Sequence, residues 1–138
     1  MTFADPGFTE TFQRIARAAG WASPPRPAQA LAQWEGFVEE CEEGYALDFS
    51  EYLDDLSVRT LLHKVLGDPE ARHGPVYEPF ARRVGLVDDR FRALIGEGPL
   101  VRPGSDHWWE RRIPAAGGPE FVADVHERYA VRLRTLEE

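Results

Sequence analysis

The sequence predicts an all-α protein, a compact bundle of five to six helices with one irregular hairpin or extended loop before the last helix. Three observations carry this reading. Apolar residues recur at three- and four-residue spacing through most of the chain. The periodic segments open on capping residues or proline and close on glycine. Runs rich in β-formers are confined to residues 100–118.

The first helix is expected over about residues 6–19. Asp5 caps it, Pro6 takes its first position, and Phe8, Phe12, Ile15 and Ala19 form its stripe before Gly20. Residues 22–27 read Ala-Ser-Pro-Pro-Arg-Pro, a stiff connector. Residues 1–20 therefore read as an arm on a single domain spanning 1–138. A second helix starts near Pro27. Leu31, Trp34, Phe37, Val38 and Cys41 line its apolar side, and Gly44 stops it.

Asp48-Phe49-Ser50-Glu51 has the form of a capping box. A short helix with Phe49, Tyr52, Leu53 and Leu56 should follow. Ser57 then reads as the cap of a further helix with Val58, Leu61, Leu62 and Val65. Asp68-Pro69 and His73-Gly74-Pro75 are breaks. From Tyr77, the positions Phe80, Val84, Val87, Phe91 and Leu94 give a helix packed along its length, with Pro79 in its first turn. Gly85 and Asp88-Asp89 allow it to be split in two. Pro103-Gly104 marks a turn in the irregular stretch. The last helix starts near Pro119, with Val122, Val125, Tyr129, Leu133 and Leu136 inward. The expected core includes Trp34, Phe37, Leu53, Leu61, Phe80, Phe91 and Val125.

Composition bounds the function. The 138 residues are 43% hydrophobic and 29% charged, ordinary for one globular domain. The net charge of −8 argues against nucleic acid, which needs a basic patch. No apolar run is long enough for a bilayer, and the N-terminus has no secretory pattern. Cys41 is the only cysteine, so no internal disulfide can form. A cytoplasmic location is expected. His63, His73, His107 and His126 show no zinc spacing. No phosphate loop or nucleophile elbow occurs. No metal or cofactor is expected, and these absences weigh against an enzyme.

The stretch from Trp34 to Arg59 carries a pattern: Trp34, Phe37-Val38, the acids Glu39, Glu40 and Glu42, Gly44-Tyr45, Tyr52-Leu53, Asp55-Leu56 and Arg59. It resembles a group of small uncharacterised bacterial proteins, as do Arg90-Phe91-Arg92 and the pair Trp108-Trp109 further on. Glu51 stands where that pattern has an aspartate. The resemblance implies a folded family and carries over no catalytic residue.

Three features invite a functional reading. The acids from Glu39 to Glu43 form either the wet face of a helix or a surface for a basic partner. Asp55 and Arg59 are four apart, in the favourable order for a helical ion pair. Asp54 and Asp55 would point about 100° apart on a helix, too divergent for a shared acid–base role. The segment 105–112, Ser-Asp-His-Trp-Trp-Glu-Arg-Arg, sets two tryptophans side by side where no helical period demands them. An outward tryptophan beside arginine and histidine is a typical interface anchor. Packing against the core is the competing account.

The expectation is a non-enzymatic, acidic protein-binding module whose partner offers a basic surface. It is analogous to immunity or antitoxin proteins in charge, size and aromatic content alone. The candidate contacts are Tyr45, Tyr52, Asp55, Arg59, His107, Trp108, Trp109 and Arg111. The alternative is a small-molecule site or enzyme at the Trp108-Trp109 loop, using His107 with Asp106 or Glu110.

Overall fold

The computed structural model describes residues 3–136 and is mostly helical. In chain order it holds α1 (Pro6–Ala18), α2 (Pro27–Glu43), α3 (Phe49–Leu66), α4 (Pro69–Arg72) and α5 (Tyr77–Ile95). Then come α6 (Trp108–Arg111), β1 (Ala116–Gly117), α7 (Pro119–Tyr129) and β2 (Arg134–Thr135). The two strands are two-residue pieces paired in parallel, with Ala116 opposite Arg134 and Gly117 opposite Thr135. None of the described helices is long and apolar enough to cross a membrane.

Helix boundaries follow the capping chemistry. Asp5 accepts from the Phe8 N–H at 2.9 Å, and Asp48 from the Glu51 N–H at 2.9 Å. Each satisfies a donor that the first turn would otherwise leave unpaired. Asp124 of α7 adds a third cap from outside, accepting from the Phe49 N–H at 2.8 Å. Gly20 takes a φ of +99°, and the Trp21 N–H returns to the Ala16 carbonyl at 3.0 Å. This six-to-one closure needs a residue at ease in the left-handed region. It turns the chain sharply and sets Trp21 against the body.

The first helix is not an arm. Phe8 and Phe12 are buried and meet Phe80 of α5 at ring-centre distances of 5.3 and 6.0 Å. The proline-rich connector is tied down as well. Pro25 and Pro27 are buried, and the Gln13 side chain donates to the Pro24 carbonyl at 3.2 Å.

Two further readings are corrected, the split of α3 and the reach of the last helix. α3 is one helix rather than two, because the Ser57 hydroxyl donates back to the Asp54 carbonyl at 2.6 Å instead of capping a new start. Hydroxyls in helix interiors often bond back in this way. α5 is unbroken at Gly85 and Asp88-Asp89. The last helix ends at Tyr129, where Ala130 adopts a φ of +57°. Leu133 is still buried, but from the segment beyond the helix. The excursion contains a short helical turn as well as a Leu100–Arg112 antiparallel bridge. Of the expected core residues all are buried except Leu53, which is half-buried.

The core is unusually aromatic. Phe37 on α2 lies within 5.2–5.9 Å, ring centre to ring centre, of Trp34, Tyr45, Tyr52 and Phe91. Phe121 of α7 closes the cluster against Tyr45 and Tyr52 at 5.5 and 5.1 Å. Such ring pairs add roughly 0.5–1.5 kcal/mol each beyond the area they bury.

Candidate functional site

α5 carries Val84, Asp88, Phe91 and Ile95 on one buried side, so a carboxylate falls in the apolar stripe. It needs a partner, because an unpaired buried charge is costly. Arg59 of α3 supplies it. Its Nε donates to Asp88 Oδ1 at 2.8 Å and its Nη2 to Oδ2 at 2.9 Å. The Trp34 indole N–H also donates to Oδ1, at 3.0 Å. The two charged side chains are only 6% and 7% exposed. Arg59 thus pairs across the bundle with Asp88, and not with Asp55 one turn away.

The tryptophan pair is built onto this ion pair. The Arg59 guanidinium carbon lies 4.5 Å from the Trp109 ring centre and 5.8 Å from that of Trp108. Trp109 is 2% exposed, and its indole N–H donates to Thr60 Oγ1 at 3.2 Å. Trp108 is half-buried beneath Arg92, whose guanidinium carbon lies 3.9 Å from the ring centre. His107 stacks on Trp109 at 4.5 Å, nearly parallel, and His63 of α3 stands 5.3 Å from both rings. Burial, His107 and Arg59 together hold His63 below the ordinary histidine pKa. Arg59 Nη1 has no hydrogen-bond partner among the described residues.

The supports of this segment are local. Ser105 donates to Glu110 at 2.6 Å, and Arg111 donates to the Ser105 carbonyl at 2.8 Å. Among the described residues, Asp106 makes no hydrogen bond to His107, so no acid–base pair forms there. Arg111 is exposed. Trp109, Arg59 and His107 are therefore brought together, but as a packed clamp that fastens residues 105–111 to α3.

Tyr45 and Tyr52 are corrected too. They are 0% and 1% exposed and cannot touch a partner directly. Burial pushes both phenols above the ordinary tyrosine pKa. The Tyr52 hydroxyl has no partner among the described residues. The Tyr45 hydroxyl donates to Asp55 Oδ2 at 2.6 Å. That bond fixes the Asp55 carboxylate from behind, and Asp55 in turn faces a groove.

The groove lies between α2, α3 and the turn after α1, with a volume of 760 Å³. Glu40, Asp54 and Asp55 line it, together with the indole of Trp21 and the small residues Gly20 and Gly36. No lysine, arginine or histidine is among its lining residues. None of the three carboxylates has a salt bridge among the described residues. Burial and the nearby charges of Asp55 and Glu43 raise the Glu40 pKa. By contrast, two other acids of α2 are paired: Glu35 meets Arg83 at 3.4 Å, and Glu42 accepts from Arg90 Nε at 3.2 Å.

Sequence reasoning found Asp55 but missed Trp21 and the groove. It also missed Asp88, although an aspartate spaced four from Val84 and three from Phe91 was a visible signal. No group of three or more potential metal ligands occurs among the described residues. No family model, curated protein or solved structure matches this chain.

Proposed function

We propose that the chain is a non-catalytic binding module whose partner is another protein, held by a cationic segment in the groove beside Trp21. The observation that carries this reading is the 760 Å³ groove lined by Glu40, Asp54 and Asp55 with no basic lining residue. Folding brings these like charges together without neutralising them internally, so a bound cation relieves their repulsion. Trp21 also lines the groove, and an aromatic ring over a bound ammonium or guanidinium group adds roughly 0.5–2 kcal/mol. The net charge of −8 steers a cationic partner toward the surface. The alternative at the Trp108-Trp109 loop has weaker support, since Trp109 is enclosed and Trp108 is covered by Arg92.

The test is calorimetric titration of the whole chain with a blocked oligo-arginine peptide at low salt. Asp54→Asn/Asp55→Asn is compared with Glu120→Gln/Glu127→Gln, which removes the same formal charge from α7. Selective loss of binding in the groove variant is expected. Equal weakening in both variants would mean diffuse charge attraction and would sink the proposal.

A further inference from the structure

The acidic groove adjoins a second one. A 330 Å³ groove lies farther along α3, and the two share Ala19, Trp21 and Ser57 as walls. The far end is lined by Lys64 of α3 and Arg102 of the excursion, with Glu110 beside them. The Glu110 carboxylate already accepts the Ser105 hydroxyl at 2.6 Å. Neither Lys64 nor Arg102 has a salt bridge among the described residues. Two adjoining grooves therefore form a trough whose charged lining is acidic on the α2 side of Trp21 and net basic on the Lys64–Arg102 side.

We propose that the occupant of this trough is an extended segment of a partner protein, with a cationic side chain at the α2 end and a carboxylate at the Lys64–Arg102 end. The inference rests on the binding-module reading above and adds the second charge and its spacing. Residues 54 to 64 of one helix span about 15 Å at 1.5 Å per residue. An extended chain covers that length in about five residues at 3.3 Å each. Charge complementarity sets the order of the two ends, and Trp21 faces the middle of the segment. A compact basic surface patch would use only the first groove and leave the second idle. A segment with both charges uses both.

The experiment uses the full chain and two blocked five-residue peptides (probe length from the estimate of about five residues above). The first has arginine and glutamate at its ends, and the second has glutamine in place of the glutamate. Each is made in both sequence orders. In one order, the wild type should bind the arginine–glutamate peptide about two- to fivefold more tightly than its glutamine counterpart, the range of an exposed charge pair. Lys64→Gln/Arg102→Gln should remove that preference and leave the glutamine peptide's affinity unchanged. Asp55→Asn should weaken both peptides. If both peptides bind equally in every order, the bipolar trough is wrong while the cationic reading stands. If neither peptide binds while oligo-arginine does, no extended segment lies there and the inference falls. If no basic probe binds, both readings fall. Concentration-dependent dimerisation that the peptides do not reverse would assign the trough to a second copy, which also overturns the proposal.

Discussion

Arg59 and Asp88, 29 residues apart in sequence, close a two-bonded ion pair at 2.8 and 2.9 Å that joins α3 to α5 inside the aromatic core. Both guanidinium–carboxylate bonds are parallel and charge-assisted, the geometry in which arginine cannot be replaced by lysine without loss. The Trp34 indole N–H makes a third bond to the same carboxylate, at Oδ1, at 3.0 Å. Three helices, α2, α3 and α5, therefore meet at one carboxylate.

That meeting point sets the first prediction. Asp88→Leu leaves Arg59 buried and unpaired, and should cost about 3–5 kcal/mol in urea unfolding. Arg59→Met/Asp88→Leu replaces both charges by apolar volume and should recover most of the loss, because a buried pair stabilises little over a hydrophobic one. Recovery stays incomplete, since the Trp34 N–H loses its acceptor in either variant, worth roughly 1 kcal/mol. A double variant as unstable as the sum of its parts would contradict this account.

The two tryptophans separate by burial. Trp109→Ala removes a ring that is 2% exposed and packed on Arg59, and should cost about 3–5 kcal/mol. Trp108→Ala removes a half-buried ring and its contact with Arg92, and should cost roughly 1–2 kcal/mol. Denaturant midpoints at constant slope measure both. Equal losses would show that the adjacent rings act as one structural unit.

Gly98 holds the start of the excursion against its return. A Cβ there would lie 1.6 Å from the Ile113 carbonyl oxygen, which belongs to backbone and cannot swing away. Gly98→Ala should therefore cost at least about 2 kcal/mol by forcing the two backbones apart. Gly104→Ala in the same excursion meets nothing within 4 Å and should stay within about 0.5 kcal/mol of wild type. Thermal midpoints that move together would refute the close-approach argument.

Local chemistry made the helices legible. Asp5, Asp48 and the glycines at positions 20 and 44 act within one or two turns of where they stand, so spacing alone locates them. The misreadings share a cause. Ser57 has the form of a cap, and only the unbroken packing of Leu56, Val58, Leu61 and Leu62 keeps the helix running through it. Leu133 and Leu136 keep a helical period, yet Ala130 turns the chain so that Arg134 can bond to the Ala115 carbonyl at 2.9 Å. The candidate site was harder for the same reason. Asp55–Arg59 is the near pair that spacing suggests, and Arg59–Asp88 is the distant pair that burial selects. The groove depends on where the turn at Gly20 sets Trp21 relative to α2 and α3, a tertiary relation with no sequence period.

The histidines against Trp109 give the final prediction, on pH. His63 faces His107 at 5.3 Å and shares Trp109 with Arg59. Lys64 adjoins it in sequence, and the segment's acids are Asp106 and Glu110, the latter engaged by Ser105. Burial first, then His107 and Arg59, lower its pKa from 6.5 in the folded state. The unfolded chain therefore binds the proton more readily than the folded one. In the window between the lowered value and 6.5, stability must rise with pH. Below that window both states are protonated and the penalty is constant, and above it neither is. His63→Gln removes this titration, so its unfolding free energy should climb less steeply than that of the wild type from about pH 5 to about pH 7. Any loss of the tilted ring contact with Trp109 shifts the whole variant curve by a constant and leaves the slope comparison intact. Parallel curves for the two proteins would show that the folded chain accepts the His63 proton as easily as the unfolded one, and that the contact with His107 and Arg59 exerts no charge repulsion.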